Sequence, residues 1–343
     1  MENMENKNQI ITDNSDFLFL YEAINCNPNG DPDQENKPRM DNDTKTNLVT
    51  DVRVKRFLRD YLKSTGTEIF VDMEGDSKVS PDTRLVNVVN KLLTDENQKK
   101  KFFESNSEIE KEFDEIVNSK KSNLSIVDAL KDKKNLKVNF FILSKLVHER
   151  FIDIRLFGSA FAVAGFTKSY TGPIQLNWGY SLNKVELIDS NSIVTIMNDD
   201  NSTFGKDYRL HYSLLAFNGV INKYTAQSTG LTNGDVEKFR DALWNCISAM
   251  PTRSKLNQYP KLYVELVYNN GFHNGYFGDL RNYIDVKPIN GITDKQVRQF
   301  KDLVFDFSRL VDLITQNKGE EQEKAIKEVI IRKSSDINFN YGQ

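Results

Sequence analysis

Four asparagines and a glycine arranged around two aspartates raise the first question of chemistry in this chain. In NCNPNGDPDQENKPR, residues 25–39, Asn25, Asn27, Asn29 and Gly30 fall at positions one, three, five and six of a calcium loop. The match then fails, because the three ligand positions are uncharged amides, Pro32 stands where an apolar residue is needed, and Asn36 fills position twelve with Glu35 one place short. A hard divalent ion needs more carboxylate. Catalytic groups are no better assembled: His148, His211 and His273 form no HxH, HExxH or HxxxH pattern, and neither a phosphate-binding GxxxxGK or GxGxxG motif nor a GxSxG nucleophile elbow exists. Asp153, in FIDIRLFG beside a glycine-rich segment, is the best single candidate for an acid, although a structural role is the stronger reading. We assign no catalytic residue, no metal site and no cofactor.

Phosphate binding suits the residues better. From Lys37 to Lys63, eight basic residues (Lys37, Arg39, Lys45, Arg53, Lys55, Arg56, Arg59, Lys63) face four acidic ones, within a chain of 343 residues whose net charge is −3. Thr50 can cap a helix running from Asp51 to Leu62, whose first half carries Arg53, Lys55 and Arg56. Its first amides add to those cations. A second basic loop, Thr252-Arg253-Ser254-Lys255, comes after a later helix. No RNA-recognition-motif aromatic signature accompanies them, so bases stacked on a sheet are not indicated.

The elements that must position these residues are read from periodicity. Phe17–Ile24 reads as a strand ended by the NPNGDP turn, in which Gly30 permits a positive φ and Asn and Asp side chains satisfy turn amides. On the helix after Thr50, Val54, Leu58, Tyr61 and Leu62 share one face, with Lys55 and Arg59 looking outward. Residues 63–150 are Lys- and Glu-rich with interrupted helical periodicity. Strand signals return at Phe151–Phe157 and Pro173–Ile188, and Asp189–Asp207 reads as a projecting hairpin. Strand Tyr208–Ile221, helix Thr232–Met250 and strand Lys261–Tyr268 complete a second strand–helix–strand unit. Capping-box spacing marks Thr232/Asp235, and Thr293/Gln296 before a last long helix. The expected fold is α+β, a modified RRM or ferredoxin-like βαββαβ core.

Composition bounds the class. Apolar residues are 38% and charged residues 28%, and no run of about 18 apolar residues is present to span a membrane. The N-terminal MENMENKNQIITDNSD lacks a signal-peptide layout, and Cys26 and Cys246 form no CxxC, which together predict a cytoplasmic protein with two buried thiols.

The blocks NPNGDPDQENKPRMD, LVTDVRVKRFLRDYL, DIRLFGSAF, TGPIQLNWGYSLNKVE, FGKDYRLHYSLLAFNGVIN, TGLTNGDVEKFRDALW and TRSKLNQYPKLYVELVY, in this order, resemble the Cas-seven backbone subunit of type I CRISPR effector (Cascade) complexes, most closely the type I-B Csh branch. The resemblance implies a palm of residues 1–62 and 151–343, a helical fingers insertion at 63–150 and a thumb hairpin near 189–207. It implies a guide RNA (crRNA) as ligand, target DNA paired through that crRNA, copies of the chain in a helical filament, other Cascade subunits as partners, no membrane, and no catalysis. Family RNA contacts map to Arg39, Lys55, Arg59, Ser159, Ala160, Arg253 and Lys255. Relatives often carry Gly after the first loop's Thr, where this chain has Thr44-Lys45; Lys45 either adds a phosphate contact or stiffens the loop. Two rivals stand beside this reading. A metal-dependent RNA endonuclease of the same superfamily would have to use Asp153 or Asp31, and a purely structural self-assembling protein would bind no nucleic acid.

Overall fold

The run SDFLFLYEAINC is apolar on both alternating sets of positions, the mark of a strand covered on both faces, and it forms β1, Ser15–Cys26. The structure, a computed structural model, describes residues 6–74, 77–78, 81–120, 124–163, 166–189, 192–195 and 203–341. β1 belongs to an eight-stranded sheet with β2 (Met40–Asp41), β3 (Thr46–Val49), β4 (Ile174–Leu176), β5 (Gly179–Ser181), β6 (Leu210–Ile221), β7 (Gln258–Tyr268) and β8 (Ile326–Lys333). The order is β8-β7-β1-β6-β5-β3-β2, with β4 also paired to β6, and every pair is antiparallel. The strand expected over Pro173–Ile188 is thus two short ones.

The chain forms two compact units, and the sheet unit comprises Thr12–Tyr61, Ile174–Lys223 and Lys238–Gln343. Helix α1, Asp51–Ser64, buries Val54, Leu58 and Leu62, as the periodicity predicts, and also Phe57, while Tyr61 is only half-buried. On one sheet face, Phe17 meets Phe239 edge to face at 5.6 Å, and Tyr21 stacks on Phe217 at 5.9 Å. The opposite face, carrying Leu18, Leu20, Leu214, Leu262 and Val264, is covered by Leu280, Phe307, Leu310, Ile314 and Phe339. No open sheet face remains around β1.

The buried charged groups of the sheet are paired in networks, as their desolvation requires. Glu265 receives both guanidinium donors of Arg240, at 2.7 and 2.9 Å, and the Ser15 hydroxyl at 2.6 Å. Lys261 bridges Glu22 and Asp336 at 2.8 and 2.6 Å.

The second unit, Met1–Ile11, Leu62–Pro173 and Tyr224–Glu237, is mainly helical. It contains α2 (Pro81–Thr94), α3 (Glu96–Phe103), α4 (Ser107–Ser119), α5 (Ile126–Leu130), α6 (Leu136–Glu149) and α7 (Ile152–Phe157). Asp95, Asn106 and Ser125 cap α3, α4 and α5 with side-chain oxygens, the usual remedy for unpaired first-turn amides. Phe103, Phe113, Ile142, Leu146 and Phe151 form its core.

FIDIRLF is helical and not the expected strand. Its alternation of apolar and charged residues suggests one wet face, yet Asp153 and Arg155 are both buried. Asp153 accepts the Phe70 and Val71 amides at 2.7 and 3.0 Å, and Arg155 pairs with Asp235 through two bonds of 2.8 and 2.9 Å. Such satisfied charges mimic a period of two without any solvent face.

Thr232 and Asp235 form the expected capping box at the start of a helix, Asn233–Ala249. Thr293 and Gln296 close only a 3-10 turn, Asp294–Gln296, and the last α-helix starts later, at Ser308. Ser192–Thr195 pairs with Thr203–Lys206 as two antiparallel strands within the expected hairpin. Positions 190–191 and 196–202, including Ile196 and Met197, lie outside the described residues.

Gly219 in β6 is fixed by packing, since a Cβ there would sit 2.3 Å from Phe17 Cζ and 2.8 Å from the Gln175 carbonyl. Gly219→Ala should cost about 1–3 kcal/mol through overpacking. Denaturant titration reads this as a lower midpoint with unchanged slope, and an unchanged midpoint would contradict the packing assigned to β1 and β6.

Candidate nucleic-acid interface

Residues 25–39 form a braced turn at the end of β1. Asn25, Glu35 and Asn36 carry the positive φ angles. Gly30 does not, contrary to expectation. It is glycine because a Cβ would lie 1.9 Å from Asn36 Oδ1 and 3.0 Å from the Asn36 carbonyl. The amides do the bracing: Asn27 Nδ2 donates to the Asn36 carbonyl at 2.8 Å, and Asp31 Oδ1 accepts the Asp33 amide at 3.2 Å. Asn29 Oδ1 reaches beyond the turn and accepts both the amide and the hydroxyl of Thr50, at 2.9 and 3.0 Å. Thr50 Oγ1 in turn accepts the Arg53 amide at 3.3 Å, capping α1. The loop therefore sets the position of the helix start.

The same loop receives the second basic segment. The Asn27 amide donates to the Ser254 carbonyl at 2.8 Å, and Lys255 Nζ donates to the Asn27 carbonyl at 2.7 Å. Arg209 donates to the carbonyls of Asn25 and Arg253 at 3.1 and 3.3 Å, while Asp207 pairs with Arg209 at 2.9 Å and Arg253 at 3.1 Å. Arg253 stays 65% exposed, and Thr252 is exposed beside it. Antiparallel pairing explains the meeting: Cys26 lies opposite Leu210 and Ala23 opposite Gln258, so the end of β1 and the starts of β6 and β7 share one sheet edge.

Within this cluster two cations lack a carboxylate partner among the described residues. Arg53 lies over the Phe57 ring at 3.9 Å with a buried Nε that makes no hydrogen bond, and burial pulls its guanidinium below the ordinary range. Lys255 is pulled down to about 8, first by burial and then by the nearby Arg53 charge. Two like charges held near each other and half-buried favour an anion beside them. Arg39 adds a third, bridged to Asp31 at 3.3 Å and also carrying a buried, unbonded Nε.

The remaining basic residues are differently placed. Lys55 is bonded to Asp51 at 3.0 Å with only 13% of its side chain exposed, and so does not look freely outward; Arg56 chelates Asp60 and Arg59 is half-buried. Lys45 has φ +59, the conformation glycine adopts cheaply, and its carbonyl accepts the Val185 amide at 2.8 Å. Ser159 and Ala160 belong to the helical unit, in the antiparallel hairpin Gly158–Val163/Phe166–Thr171. Arg209, Asp207 and Trp178 join the cluster without having stood out in the sequence. Only the strand register brings them in, although the run KDYR beside the hairpin carries their charge.

The groups that would suggest other chemistry are engaged elsewhere. Asp153 is buried on backbone amides, and Asp31 caps a 3-10 turn besides holding Arg39. Cys26 and Cys246 are buried thiols, and burial pushes Cys26 up to about 12, so neither is a nucleophile at neutral pH. No group of three or more metal-binding side chains occurs among the described residues, and no described helix is long and apolar enough to cross a membrane.

Comparison with known proteins adds an independent line. A family model described as CRISPR-associated protein Cas7 matches residues 13–308. A protein of Haloferax volcanii named CRISPR-associated protein Cas7 is 31% identical over 310 residues, covering 88% of this chain and 82% of the relative. Remote likenesses exist to two solved chains. One, titled "CRISPR RNA-guided surveillance complex, pre-nicking", has 13% identity and a TM-score of 0.44, covering 76% of this chain and 80% of that one. The other, titled "CRISPR RNA-guided surveillance complex", has 11% identity and a TM-score of 0.39, covering 77% and 78%. With most of its length matched by the family model, and that relative aligned across nearly the whole chain, this protein belongs to the CRISPR-associated Cas7 family.

Proposed function

We propose that the chain is a crRNA-binding backbone subunit of a type I CRISPR interference complex, Cascade, assembling with copies of itself and other subunits along the guide and presenting it to target DNA. Family membership supports the assignment. The observation that carries it is the cation cluster at the C-terminal end of β1, where Arg53 and Lys255 are partly buried and lack carboxylate partners among the described residues. A phosphodiester supplies the missing charge and acceptors, and it does so without reading sequence.

The finer reading takes the same line. Residues 1–62 and 151–343 serve as palm, 63–150 as fingers and the hairpin near 189–207 as thumb. A modified RRM topology is supported by the order β7-β1-β6-β5, the fourth-first-third-second arrangement of a βαββαβ core. Covering of the sheet's second face leaves loops to hold RNA in place of base stacking on strands. Arg39, Lys45, Thr50, Arg53, Lys55, Arg56, Arg59, Thr252, Arg253, Ser254 and Lys255 then line the palm contact, with Ser159 and Ala160 adding backbone contacts. Lys55 and Arg56 would exchange Asp51 and Asp60 for phosphate or stay structural. Binding and alignment, with no bond made or broken in the RNA, is the role we assign to this subunit.

Two measurements test this. For single-stranded RNA, log affinity should fall with log salt by about 0.7 per phosphate contact, and Arg53→Gln with Lys255→Gln should reduce that slope by about 1.4. A guide of scrambled sequence should bind alike; an unchanged slope in the double variant would sink the assignment of these two residues.

Lys255 also predicts a pH dependence. Its folded value of about 8 lies below the ordinary 10.5, so the charged form destabilises the empty protein at lower pH, and that cost disappears as pH rises from about 8 to 10.5. Phosphate binds the protonated form, so RNA affinity should weaken above pH 8 in the parent chain. Lys255→Arg should flatten this fall, and a decline of equal size in that variant would assign it to another group.

A further inference from the structure

Trp178 is held out of the fold by everything around it. The Asn177 amide donates to the Asn218 carbonyl at 3.0 Å, and the Trp178 carbonyl accepts Arg281 Nη1 at 2.8 Å, so the backbone is fixed on both sides. Gly179 presses against the Phe217 ring, where a Cβ would lie 2.3 Å from Cζ. Trp178 is nevertheless 46% exposed, a large aromatic residue that folding does not bury. The cation beside its ring points to a ligand. The Arg39 guanidinium lies 5.9 Å from the indole ring, and Arg39 also has an unbonded buried Nε.

We propose that Trp178 is a stacking platform for one base of the bound single strand, with Arg39 holding the adjoining phosphate. A nucleotide presents an anion and a flat π face a short distance apart, and the Arg39–Trp178 pair presents the two matching groups. Stacking of this kind tolerates any base, because every base has a π face. It fixes where a base lies without choosing which base. The inference rests on the proposed RNA-binding role and adds a base contact to a site otherwise built for phosphates.

Fluorescence tests it directly, since Trp178 and Trp244 are the only tryptophans. In a Trp244→Phe background, a single-stranded RNA oligonucleotide should quench Trp178 emission, and an abasic oligonucleotide of equal length and charge should bind without quenching. Trp178→Ala should weaken RNA binding roughly tenfold while leaving the salt slope unchanged, and Trp178→Tyr should recover most of the affinity. Equal affinity for RNA in Trp178→Ala, or RNA binding with no change in emission, overturns the platform while leaving the RNA-binding role standing. Failure of the parent chain to bind any RNA overturns both.

Discussion

The antiparallel register of β1 between β6 and β7 is the constraint on which the interface depends. Because Cys26 lies opposite Leu210 and Ala23 opposite Gln258, chain segments far apart in sequence emerge at one edge of the sheet. A slip of one residue would turn Phe17, Phe19 and Tyr21 to the other face and move the basic loops apart together. The dense apolar packing on both faces therefore fixes the position of a polar site that shares no atoms with the core.

At that edge, hydrogen bonds to asparagine replace what would otherwise be loose loops. Asn29 ties the turn to Thr50 and so to the first amides of α1, and Asn27 ties it to Ser254 and Lys255. Asparagine suits this place because it both donates and accepts without bringing charge. An aspartate at position 29 would accept the Thr50 bonds equally well, but would add negative charge beside the basic cluster. The aspartates that are present, Asp207 and Asp31, hold Arg209, Arg253 and Arg39 in position, while Arg53 and Lys255 have no carboxylate partner among the described residues.

Charge balance obeys the same division. A chain of net charge −3 needs a local site, not a global field, to attract a polyanion. Ion pairs such as Arg155–Asp235 and Arg240–Glu265 are consumed by the fold, and they show why counting charges along the sequence overstates what is available to a ligand. Lys55 and Arg56 illustrate the point within the basic segment, since each finds its carboxylate one helical turn away.

Local physics made much of this legible from the sequence. The apolar run before NPNGDP read as a strand, Thr50 as the cap of the helix that begins at Asp51, and Thr232 with Asp235 as another helix start. The blocks that resemble the Cas7 family stand in the sequence as well. Tertiary structure decided the rest. FIDIRLF is helical because Asp153 and Arg155 find partners at Phe70, Val71 and Asp235, which no local pattern records. Gly30 is needed for a close approach by Asn36, not for a positive φ. Which cations remain without carboxylates, and that Trp178 faces solvent beside Arg39, depended on pairings across the sheet. Those pairings are set by strand register, a property of the folded sheet that no single segment carries alone.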